Sequence, residues 1–125
     1  MKHSPRFEKL CEEARARVTE VSAEDVAARL EARAAGKDSF ELVDVREESE
    51  IARGRIRGAR PLGRGILERD VEKAIPETGT EIILYCGGGY RSALSAESLE
   101  RMGYTKVRSM AGGWRGWTEK GLPTE

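Results

Sequence analysis

The sequence predicts a single-domain α/β fold, an open parallel sheet with helices on both faces. Residues Ile82, Ile83, Leu84 and Tyr85 form a continuous β-branched and aromatic run, the character of a strand buried on both sides. Strand-like and helix-like stretches alternate along the chain, the pattern of parallel strands joined by helical crossovers. The 125 residues suit one hydrophobic core, and a chain of that size buries roughly two thirds of its unfolded surface.

The elements follow in order. Phe7, Leu10, Cys11, Ala14 and Val18 recur at helical spacing, so residues 1–18 are expected to form an accessory helix ahead of a main domain at 19–125. Ser22 and Asp25 make an S-x-x-D capping pattern that opens a helix through about Ala34, and Gly36 ends it. Phe40 to Val45 reads as a buried strand. Glu47 to Arg53 reads as a short helix stopped by Gly54, and Ile66 to Ile75 as a helix stopped by Pro76. Gly79 and Thr80 turn the chain into the strand that ends at Tyr85. Leu94, Leu99 and Met102 carry the spacing of a helix from Ser92 to Met102, closed by Gly103. Lys106 to Met110 is the last strand, and Trp114 and Trp117 sit on a short final helix, where at least one indole is expected to fill core.

The segment EIILYCGGGYRS places Cys86 at the carboxyl end of a strand, where open parallel sheets bind their ligands. Gly87, Gly88 and Gly89 let the backbone bend so that N–H groups converge on one point, and the positive end of the next helix adds to them. Only a thiolate is a strong nucleophile, and amides, helix N-termini and cations favour it, so Cys86 is expected to be an activated nucleophile. An inert buried cysteine is the plainer alternative. Three successive glycines would then cost backbone entropy for no packing return, which favours a functional loop. The lone histidine, His3, lies in a polar stretch with nothing evident to hold it against Cys86. A Cys-His pair is therefore not expected, and the loop amides with Arg91 are assigned that work. Asp44 and Arg46 end the preceding strand and should project near the same edge, where Asp44 could accept loop amides or pair with an arginine. Tyr90 is expected to point outward at the entrance.

Four residues separate Cys86 from Arg91, one fewer than in tyrosine-type phosphatases, and the tighter ring suits a single sulfur atom. This loop resembles the active loop of rhodanese-like sulfurtransferases. Leu42 to Ala59, LVDVREESEIARGRIRGA, is similar to the family's first signature, and Met102 to Pro123, MGYTKVRSMAGGWRGWTEKGLP, to its last. Val21 to Gly36 corresponds to the family's opening strand and helix. The resemblance implies a rhodanese-like fold and a thiosulfate-type sulfurtransferase, with Cys86 catalytic, Gly87, Gly88, Gly89, Tyr90, Arg91 and Ser92 binding substrate, and Asp44 and Arg46 in support. It implies a small sulfur donor such as thiosulfate, a Cys86 persulfide, and cyanide, a thiol or a protein as acceptor. The chain departs from the pattern at Arg55 and Arg57, where His and Pro are usual, at Ile51, where an aromatic is common, and in having no cation between Cys86 and Arg91. Those departures keep open a non-catalytic, partner-binding or regulatory module. A thiol redox sensor using Cys11, and a phosphatase, are further alternatives.

The 22 basic and 22 acidic side chains cancel, which argues against nucleic-acid binding. No apolar run approaches the about 20 residues that span a bilayer, and the first ten residues lack the apolar core of a secretion signal. A cytoplasmic location without membrane association is expected. Two cysteines and no Cys/His cluster predict neither disulfide nor metal, and no cofactor is expected. Cys11 is read as a packing residue. Arg53, Arg55, Arg57, Arg60 and Arg64 crowd one turn-rich stretch, either a local positive field for an anionic donor or acidic partner, or a solvated face.

Overall fold

The computed structural model describes residues 3–125. Five strands form one all-parallel sheet in the order β1-β5-β4-β2-β3. They are β1 Thr19–Val21, β2 Glu41–Asp44, β3 Arg60–Pro61, β4 Glu81–Tyr85 and β5 Lys106–Met110, and the helices are α1 Pro5–Arg15, α2 Ala23–Ala34, α3 Glu48–Ile51, α4 Arg64–Ala74, α5 Tyr90–Arg101 and α6 Gly113–Glu119. The alternation expected from sequence is present. Ser22 caps α2 by accepting the Asp25 N–H at 3.0 Å, and Gly36, at φ 75°, turns the chain after it.

One element was not anticipated. The arginine-rich stretch after Gly58 contains β3, a two-residue edge strand pairing with Val43 and Asp44. An edge position tolerates Pro61, whose missing N–H faces away from the ladder. The arginines between Arg53 and Arg64 also divide. Arg60 pairs with Glu41 at 3.2 Å and Arg55 approaches Glu125 at 3.9 Å, while Arg53 and Arg57 stay exposed.

Strand alternation sorts the core into two layers. Ile82, Leu84 and Cys86 join Val43, Val45, Leu67, Val71 and Leu99 beneath α4 and α5. Ile83 and Tyr85 join Val26, Leu42, Met110 and Trp117 beneath α2 and α6. α1 lies on α5 through Cys11, Ala14, Ala93 and Leu94, so Cys11 packs, and burial pushes its thiol up from its ordinary value.

Asp44 and Tyr85 stand opposite each other in the β2–β4 register, on the α6 side. The Tyr85 hydroxyl therefore donates to Asp44 Oδ2 at 2.6 Å and accepts the Ile56 N–H at 3.0 Å. Arg46 grips the same carboxylate through Nε and Nη2 and donates to the Gly54 carbonyl at 2.8 Å. Asp44 is 0% and Arg46 2% exposed, so this is a buried brace, and Asp44 serves the arginine rather than the loop amides. Asp44→Ala strands the guanidinium and is expected to cost about 3–5 kcal/mol; Tyr85→Phe is expected to cost about 1–3 kcal/mol. Urea unfolding measures both.

Candidate functional site

Cys86 follows β4 directly, and Gly89 adopts φ 96° as the residue before α5, so the chain reverses within three glycines. α5 begins at Tyr90 rather than Ser92. Cys86 Sγ accepts the Gly89 N–H at 3.1 Å. On its other side the thiol donates to Ser92 Oγ at 3.5 Å, and Ser92 shares a 2.8 Å hydrogen bond with Ser109. Nothing in the local sequence marks Ser109 as a neighbour of Cys86. Its place opposite Leu84 in the β4–β5 register brings it there, information that exists only once strands are paired.

The loop is held from outside by α6. The N–H groups of Trp114 and Arg115 donate to the carbonyls of Cys86 at 2.7 Å and Gly87 at 3.0 Å. A trans peptide points its N–H opposite to its C=O, so these bonds turn the Gly87 and Gly88 amides away from α6. The approach needs glycine at 113. A Cβ there, at φ 54°, would overlap the Cys86 carbonyl oxygen and lie 2.8 Å from the Gly87 carbonyl carbon.

A cleft of about 580 Å³ opens over the loop, lined by Cys86, Gly87, Gly88, Tyr90 and Arg91, by Glu50, by Trp114 and Arg115 of α6, and by His3 and Phe7. Cys86 is 1% exposed, at the floor of this cleft. The Arg91 guanidinium forms a forked pair with Glu50 at 2.8 and 3.1 Å, a partner far from it in sequence. Two expectations need correction. His3 does reach the site, because α1 docks on α5 and sets its ring edge-on to Tyr90 at 4.5 Å. Tyr90 is half-buried under that contact, with the Arg15 guanidinium 5.6 Å from its ring. Trp114 edges the cleft while Trp117 fills the core. The Arg46 guanidinium lies 4.6 Å from the Trp114 ring, which joins the buried pair of Asp44 and Arg46 to the rim of the cleft.

Hydrogen bonds from Arg91 hold the Glu50 carboxyl below the usual carboxylate range, against the opposing effect of burial. Among the described residues no cluster of His, Cys, Asp or Glu could hold a metal, and no helix is long and apolar enough to cross a membrane.

This chain belongs to the rhodanese-like domain family, whose model matches residues 22–120. It is 32% identical over 106 residues to a sulfurtransferase of Allochromatium vinosum, an alignment covering 85% of this chain and 94% of that one. A solved Rhodopseudomonas palustris structure, described as a protein of unknown function and possible tyrosine phosphatase, superposes with a TM-score of 0.84 at 28% identity, covering 100% of this chain and 99% of the other. A thiosulfate sulfurtransferase of Pseudomonas aeruginosa superposes with a TM-score of 0.81 at 29% identity, over 95% of this chain and 22% of that larger one. The family and its sulfurtransferase relatives support sulfur transfer in general.

Two outcomes are expected. Gly113→Ala displaces the loop, costing about 1–3 kcal/mol and slowing iodoacetamide alkylation of Cys86. Glu50, followed by NMR, titrates below the ordinary value of about 4.3. A carboxyl lowered in the folded state stabilises above its unfolded value and loses that contribution as pH falls, so the Arg91 clamp holds at neutral pH and opens in acid. Arg91→Ala returns Glu50 toward its ordinary value.

Proposed function

We propose that the protein moves a sulfane sulfur through a persulfide on Cys86, in a catalytic domain of residues 19–125 with residues 1–18 as an accessory element. The observation that carries the proposal is the contact between Cys86 Sγ and the Gly89 amide at the start of α5, at the floor of an open cleft. Cys86 thiolate attacks the outer sulfur of a donor such as thiosulfate. A new S–S bond forms, the donor's S–S bond breaks, and sulfite leaves with the electron pair. The product is an anionic persulfide whose outer sulfur extends over Gly87, Gly88 and Gly89. Amides turned toward that charge act as preorganised donors, each worth on the order of 3 kcal/mol in comparable sites. Tyr90 and Arg91 border the persulfide, and Ser92 supplies a hydroxyl from beneath. An acceptor, cyanide or a thiolate, then attacks the outer sulfur, and the electron pair returns to Cys86.

The four-residue spacing from Cys86 to Arg91 disfavours a phosphoryl group. Cys11 packs between α1 and α5 away from the cleft lining, and burial raises its thiol, which disfavours a resolving-thiol role for it. Mass spectrometry after treatment with thiosulfate or polysulfide is expected to find one added sulfur, located on Cys86 and absent in Cys86→Ser. No adduct with any donor, in a folded protein, would overturn the proposal.

A further inference from the structure

The volume of the Cys86 cleft, about 580 Å³, falls within the roughly 300–1,000 Å³ of sites that enclose organic ligands. One of its walls comes from outside the segment matched by the family. α1 brings Phe7 and His3 against Tyr90, with ring centroids 5.2 Å apart for His3 and Phe7, 4.5 Å for His3 and Tyr90, and 6.1 Å for Phe7 and Tyr90. Trp114 enters the same cleft from α6, on the opposite face of the sheet. His3 apart, the charged side chains lining the cleft are Arg91 and Arg115 against Glu50 and Glu119. Two positive and two negative charges cancel, so net charge does little to select one partner over another. Four rings, those of His3, Phe7, Tyr90 and Trp114, line the cleft beside those charges.

We infer that the partner exchanging sulfur with Cys86 is an organic thiol with an aromatic or bulky apolar body, seated on the wall formed by His3, Phe7 and Tyr90, with Phe7 as the residue that sets specificity. The inference rests on the persulfide reading above. The thiol enters as its thiolate, having lost its proton to solvent. Its sulfur bonds to the outer sulfur of the persulfide, the bond between that atom and Cys86 Sγ breaks, and the electron pair stays on Sγ. The organic body meanwhile lies against rings that a compact acceptor such as cyanide does not reach. Apolar burial and ring stacking then favour the bulky thiol at equal thiol reactivity.

The test begins by loading the protein with polysulfide sulfur and reading the Cys86 adduct by mass. Single-turnover discharge follows, with phenylmethanethiol and with 2-mercaptoethanol, each rate normalised to its rate with a small alkyl persulfide. The aromatic thiol is expected to be faster by about tenfold, and Phe7→Ala to lower that ratio about fivefold, the scale of one lost aromatic contact. His3→Ala lies outside the helices, leaves the core intact, and is expected to lower the ratio about twofold; it decides the matter if Phe7→Ala unfolds. A ratio near one in the native protein, or an unchanged ratio in the folded variants, overturns the inference while leaving the persulfide intact. Failure of Cys86 to load at all defeats the persulfide reading and this inference with it.

Discussion

The site depends on one backbone contact, the start of α6 against the loop after β4. The Trp114 and Arg115 amides hold the carbonyls of Cys86 and Gly87, and this fixes the two peptide planes that follow Cys86. Both partners are main chain, so the approach is closer than side chains allow. Gly112 and Gly113 both adopt positive φ, and Gly113 has no room for a Cβ. The same contact delivers Trp114 to the rim and Trp117 to the core. One short helix therefore orients the loop, closes one layer of the fold and shapes the cleft.

A second constraint runs beneath it. Strand alternation sends Cys86 toward α5 and its neighbour Tyr85 toward α6. Tyr85 meets Asp44 across the register, Asp44 holds Arg46, and Arg46 reaches the Gly54 carbonyl and the Trp114 ring. Burial and the Asp44 carboxylate push the Tyr85 phenol up, so it stays a neutral donor to Asp44. The turn after α3 is thus tied to the sheet, and α3 carries the Glu50 that holds Arg91. Support for the loop arginine passes through a buried charge pair on the far face of the sheet. Such a pair has little net stabilising value against an apolar replacement, and its use here is to fix position.

Much of the fold was legible along the chain. The strand at Ile82 to Tyr85 announced itself by β-branched burial, α2 by its Ser22 cap, and the ends of α2 and α5 by Gly36 and Gly103, because these signals are local. The edge strand β3 was hidden: two residues, one of them proline, carry no periodicity. At the site, the contiguous run from Cys86 to Ser92 was readable because glycine spacing and helix onset lie within a few residues. Glu50, Ser109 and His3 were not readable as neighbours of Cys86. Each is far away in sequence, and only strand register or helix docking brings it near.

The residue order by itself determined the alternation of strands and helices, the position of Cys86 at a strand end, and the glycines that permit a tight loop, since propensity and backbone freedom act over short range. Tertiary structure alone decided what surrounds the sulfur. Packing of α1 on α5 supplied an aromatic wall, pairing with Glu50 compensated Arg91, and burial turned Asp44 and Arg46 into a brace. Charges and rings act through space over a few ångströms, and the folded chain, not its linear order, sets those distances.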